Sequence, residues 1–239
     1  MSWREPRPIV FGGPLTPGVR TLVFVTIGVY IFQLVAGWLA QVRLERLFGL
    51  VPYEVVHHLF LWQMGTYLFL HGGFFHILFN MLALWMFGND LEGLWGTQRF
   101  VRFYFITGVG AALCSILVTP NSTIPIIGAS GAIYGLLLAY AIYFPERPIL
   151  LIVFWVPARL CVTILGAIAV FASLSEAGGV ANATHLGGLL VGYLYLKGAG
   201  SDPISEMKYR YLKWKINRLR KKFDVYSGGR ADDWDRRVH

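Results

Sequence analysis

Four polar residues stand where an apolar chain has little reason to keep them. The stretch "GASGAIYG", residues 128–135, sets Ser130 among small residues at the mouth of the apolar run "LLLAYAIYF". His185 interrupts "NATHLGGLLVG", and His76 and Asn80 lie at i, i+4 in "HGGFFHILFN". A serine hydroxyl is a poor nucleophile until a base within hydrogen-bond reach accepts its proton, and a neutral imidazole is the natural base. Acyl transfer further needs donors for the oxyanion. The Asn80 amide, a His76 ring N–H and the Ser130 backbone N–H at a helix start are of the right kind.

Each residue has a plainer reading. A lone serine in a span is more often packing between helices than chemistry, so the GxSG pattern by itself is weak. A histidine inside a span is a functional hypothesis by default. Tyr134, one turn after Ser130 on the same face, is either a packed aromatic or a residue that fixes the imidazole by stacking or bonding. Spacing adds information. Gly131, Gly135 and Ala139 recur at i, i+4, i+8, and Gly188 and Gly192 do the same three residues after His185. Stripes of small residues let two helices approach closely, and packing these two brings the imidazole beside Ser130. No Asp or Glu lies in the outer halves of the segments concerned, so the expectation is a Ser–His dyad and not a triad. A metal site is not expected: His71, His76 and Asn80 lack a third strong ligand, and no HExxH occurs. No cofactor is implied.

The elements that must hold these groups are membrane helices. The chain is 56% hydrophobic and 14% charged, with a mean hydropathy of +0.55, where a soluble domain carries about 25% charged residues. Apolar windows of membrane-spanning length recur along it. The expected fold is all-α, a bundle of six transmembrane helices with a long loop, 41–66, after the first. Spans are expected at roughly 20–40, 71–87, 100–118, 128–144, from near Ala158 onward, and 182–197. Before Ala158, "PILLIVFWV" is expected to lie at the interface, because Pro157 suits a helix start and disrupts an interior. Cys114 and Cys161 read as small buried hydrophobes.

Six spans put both termini on one side. Arg4, Arg7, Arg20, Arg99, Arg102, Arg147 and Arg159 fall on that side, with the 12 of 21 Lys and Arg that follow from Lys197 onward, while Arg43 and Arg46 fall opposite. The positive-inside rule makes the termini cytosolic. The second, fourth and sixth spans then start on the outer side, with Ser130, His185, His76 and Asn80 in their first turns. The net charge of +8 is concentrated beside the last span, which favours anionic lipid over nucleic acid as its partner. The N-terminal "MSWREPRPIVFGGPLTPG" lacks the apolar core of a signal peptide, so no cleaved segment is expected. Domains are expected at 1–19, a cytosolic segment; 20–200, the membrane bundle; and 201–239, a basic tail with an amphipathic helix at "KYRYLKWKINRLRKKF".

"HGGFFHILFN", "GASG" with Tyr134 four residues after the serine, and "HLGGLLVG" together resemble the rhomboid family of intramembrane serine proteases, over roughly residues 20–197. The resemblance implies Ser130 as nucleophile, His185 as base, and His76 and Asn80 as oxyanion-hole side chains, with Gly128, Gly131, Tyr134, Gly188 and Gly192 in support. It also implies a structural His71, a Glu92 that stabilises the turn between spans two and three, a 41–66 loop in the outer leaflet, and gating by span five and the loop before span six. Substrates would be single-pass or multi-pass membrane proteins. A prokaryotic plasma membrane is expected because no organelle transit peptide is visible. One departure is Trp62-Gln63, where the family often has Trp-Arg; it bears on the loop's stability and not on catalysis. A transporter with a histidine relay is the rival from another class, but the internal symmetry of many transporters is missing. A catalytically dead relative is disfavoured by the presence of both Ser130 and His185.

Overall fold

The computed structural model describes residues 13–41, 43–151, 154–173 and 179–199. The chain separates into two units, Met1–Leu196 and Lys197–His239, and the expected tail helix lies outside the described residues. The long helices are α1 (Pro17–Ala40), α5 (Phe74–Trp95), α6 (Thr97–Val118), α7 (Ser130–Tyr143), α8 (Ala158–Ser173) and α9 (Gly179–Ala199). Between α1 and α5 the loop folds into α2 (Leu44–Phe48), α3 (Pro52–His58), α4 (Gln63–Thr66) and a 3₁₀ turn, Tyr67–Phe69. Among the described residues, α1 and α6 are long and apolar enough to cross a membrane, and α5 becomes a third if joined to Gln63–Phe69, bent from it by 97°. The helix expected near Ala158 starts there.

The stretch before α8, expected to lie at the interface, folds as a hairpin, β1 (Pro148–Leu151) against β2 (Phe154–Pro157), antiparallel with Pro148 opposite Pro157. β-Branched and aromatic residues suit a pleated ribbon, and the prolines, which donate no N–H, fall at its open end. In addition, α9 begins at Gly179, earlier than expected, so His185 sits in its second turn and not its first.

Glu92 holds three elements at once. Its carboxylate accepts from Gly18 N at 2.8 Å, Val19 N at 2.9 Å and the Thr16 hydroxyl at 2.5 Å, so it caps the start of α1. It also accepts from the Thr97 hydroxyl at 2.5 Å, across the α5–α6 turn. The unsatisfied N–H groups of a helix start are a natural site for a carboxylate. Glu92→Gln puts an NH2 where an oxygen accepted, and is expected to cost about 2–3 kcal/mol. Melting in detergent measures this, with turnover per folded molecule unchanged.

The loop is stitched by its own polar groups. The wholly buried Gln63 accepts from Val51 N at 2.9 Å and donates to Arg46 O at 3.2 Å, while Trp62 Nε1 donates to Leu47 O at 2.9 Å. A neutral amide thus bonds the loop backbone where the resemblance leads one to expect an arginine. Leu50 then pairs with Ile126 through two backbone bonds of 2.9 and 2.8 Å, and Tyr53 N donates to Ser122 O at 3.0 Å. The loop is therefore strapped to the chain that leads into Ser130.

Candidate active site

The approach to Ser130 is fixed by Gly128, whose φ of +122° is open to glycine and strained for other residues. Its N–H donates to Tyr67 O at 2.9 Å, and the buried Tyr67 hydroxyl donates to Gly108 O at 2.8 Å, tying the turn to α6. Ser130 follows as the first residue of α7, so its N–H has no acceptor within the helix.

α9 presses directly on α7. A Cβ at residue 188 would stand 2.0 Å from Gly131 O, and one at residue 192 would stand 3.2 Å from Gly135 Cα. The two stripes of small residues therefore meet. One turn before Gly188, His185 Nε2 lies 2.8 Å from Ser130 Oγ. The Tyr134 ring stacks on the imidazole at 4.4 Å between centroids and 5° between planes. For Nε2 to accept the serine proton, the ring hydrogen must sit on Nδ1. Among the described residues no hydrogen bond joins His185 to a carboxylate.

His76 flanks the same turn. Its Nδ1 accepts from Gly72 N at 3.3 Å, which assigns the ring hydrogen to Nε2. That Nε2 would lie 2.6 Å from a Cβ at residue 128, so the donating end of the ring faces the chain two residues before Ser130. Asn80 is placed differently. Its amide donates to His76 O at 2.8 Å, within its own helix, and among the described residues no hydrogen bond links it to Ser130 or His185. His71 is pinned by Gln33 of α1, which donates to its carbonyl at 3.0 Å and accepts from its N–H at 3.2 Å. Its ring meets His76 edge-on at 5.0 Å. Among the described residues no group of His, Cys, Asp and Glu is arranged to hold a metal ion. Tyr67 went unnoticed in the sequence, where nothing distinguishes it from the neighbouring aromatic residues.

A family model described as the Rhomboid domain matches residues 58–200, more than half of the chain. The chain belongs to the rhomboid family. Rhomboid protease AarA of Providencia stuartii is 31% identical over 200 residues, covering 73% of this chain and 69% of that protein. The mitochondrial Rhomboid protein 1 of Saccharomyces cerevisiae is 36% identical over 133 residues, covering 53% and 38%. RHOMBOID-like protein 1 of Arabidopsis thaliana is 35% identical over 164 residues, covering 65% and 39%. This rhomboid chain thus spans about two fifths of the length of the yeast and plant proteins. Because a mitochondrial and a plant protein are among its relatives, the expectation of a prokaryotic plasma membrane gains no support from them. It is a membrane protein.

Proposed function

We propose that this rhomboid is an intramembrane serine endopeptidase that hydrolyses peptide bonds in or near the transmembrane segments of membrane proteins. The observation that carries the reading is the 2.8 Å contact of Ser130 Oγ with His185 Nε2, under a ring stacked on Tyr134. Ser130 Oγ attacks the scissile carbonyl as His185 Nε2 takes its proton. The tetrahedral oxyanion accepts hydrogen bonds from the Ser130 N–H, His76 Nε2–H and the Asn80 amide. His185 then protonates the leaving amine, and water, activated by the same imidazole, releases the acyl group.

We read the body, 20–200, as six spans with both termini cytosolic and the site opening outward. At 14 residues, α7 is about 21 Å long against a hydrocarbon core of about 30 Å. If its inner end reaches the inner boundary, Ser130 begins well below the outer surface, at the depth of a substrate span. A spanning helix has its amides bonded internally, so the substrate must unwind, and Gly or Pro near the scissile bond favours this. We read 201–239 as a basic appendage on the cytosolic surface and the lipid bilayer as its partner.

The test is cleavage of single-span substrates in reconstituted vesicles, with labelling by a serine-directed fluorophosphonate. Cleavage and labelling that are both lost in Ser130→Ala support the reading; a wild-type protein that binds substrate but neither cleaves nor labels sinks it. The oxyanion donors have their own signature. Their removal is expected to lower kcat more than it changes KM, by about 10²–10³ per donor. Asn80→Ala is expected at or below the low end of that range, because its amide already serves His76 O and other donors remain. Unchanged turnover in folded His76→Ala and Asn80→Ala variants would remove both from the mechanism.

A further inference from the structure

Beside the dyad lies a buried polar contact that the mechanism does not use. The hydroxyls of Ser115 on α6 and Thr184 on α9 are 2.6 Å apart, and both residues are buried. Ser115 Oγ donates to Ala111 O of its own helix at 3.2 Å, which fixes its rotamer and leaves Thr184 to supply the hydrogen between the two hydroxyls. The Thr184 methyl would lie 3.0 Å from a Cβ at residue 131. Thr184 therefore touches α6 through its hydroxyl and α7, next to Ser130, through its methyl. It also directly precedes His185.

The seam around it is smooth. Gly187 lies against Cys114, where a Cβ would stand 2.6 Å from Cys114 Cβ, and Gly188 lies against Gly131. Glycine faces allow close approach but present no side chain to resist rotation of one helix against another. The catalytic contact tolerates little of it. Turning α9 by about 20° would carry an atom about 6 Å from its axis through about 2 Å, enough to break a hydrogen bond. A directional bond at the residue adjoining His185 supplies the missing constraint.

We infer that the Ser115–Thr184 hydroxyl pair is a positioning clasp, which sets the rotation of α9 that holds His185 Nε2 on Ser130 Oγ. Thr184 and Ser115 are positioning residues and touch no reacting atom. The inference rests on the Ser–His reading above.

The test uses the full chain in reconstituted vesicles with a single-span substrate. It measures kcat, KM and melting temperature for Thr184→Val, Ser115→Ala, the double variant and Thr184→Ser. Valine keeps the β-branch and removes the hydroxyl, whereas serine keeps the hydroxyl. Turnover is expected to fall on the order of 10- to 100-fold in either single loss of a hydroxyl. KM should stay within about twofold, since ground-state binding is untouched. The double variant should be no slower than the worse single one, and Thr184→Ser should recover most of the rate. Losses that multiply in the double variant, or a Thr184→Ser as slow as Thr184→Val, would overturn the clasp. So would a lowered melting temperature with wild-type kcat per active site, because the pair would then be a structural bond alone. Ser130→Ala, run in parallel, separates the two levels: turnover surviving there overturns the Ser–His reading itself, whatever the clasp variants do.

Discussion

Ser130→Ala is expected to lose at least about 10⁴-fold in kcat, because nucleophile and base act as a unit and neither works without the other. His185→Ala should lose as much, and the double variant no more than either. Stability should scarcely respond. The substitution removes one oxygen and leaves His185 Nε2, in a half-buried ring, without its 2.8 Å partner, which costs about 1 kcal/mol. The ring keeps its stack on Tyr134, so its place in the fold survives the loss of its bond. Turnover of a single-span substrate in vesicles, with melting temperature alongside, reads both quantities. Ser130→Ala cleaving at even a hundredth of the wild-type rate would mean that another group does the chemistry.

What could be read from the chain depended on the range of the interaction. The meeting of α7 and α9 was legible because glycines at i, i+4 mark a face whatever the partner, and His185 lies one turn from Gly188 on that face. Tyr134 was legible for the same reason, one turn from Ser130. The α8 start was legible from Pro157. The hairpin before it was not, because a short apolar run without polar alternation has no period to separate a strand from an irregular segment. Glu92 was expected to serve the turn beside it, and it does so through Thr97. Its bonds to Gly18 and Val19 cross more than 70 positions of sequence, and no local pattern announces a cap supplied from so far away. Gln63 shows a different limit. Its type was visible as a departure from the resemblance, but whether an amide could hold the loop depended on the carbonyls of Arg46 and Leu47 being turned toward it. Ser115 and Thr184 were invisible for a simpler reason: hydroxyls in apolar helices ordinarily bond their own backbone, and only the packed seam shows that these two meet.

That seam gives a graded prediction. A Cβ at residue 188 would stand 2.0 Å from Gly131 O, which is backbone and cannot rotate away. At residue 192 it would stand 3.2 Å from Gly135 Cα, and at residue 166 it would stand 3.6 Å from a Leu189 methyl, an ordinary contact. Alanine at the three positions should therefore act in the order 188, 192, 166, from severe to silent. Gly188→Ala must push α9 away from α7 by more than 1 Å to reach an ordinary separation of about 3.5 Å. The displacement falls one turn from His185, whose bond to Ser130 has no slack at 2.8 Å. Misplacement by about 1 Å costs on the order of 100-fold in rate, and overpacking costs about 1–3 kcal/mol. Gly188→Ala is thus expected to lose 100-fold or more in kcat, by about that argument, and to melt several degrees lower. Gly188→Val, with two further methyl groups, should be inactive. Gly192→Ala should lose part of its rate with a smaller melting shift, and Gly166→Ala should match the wild type in both. The measurement is kcat and melting temperature for the four variants in one vesicle preparation. Full activity in Gly188→Ala, or a Gly166→Ala as damaged as Gly188→Ala, would show that contact between α7 and α9 is not what brings the base to the serine.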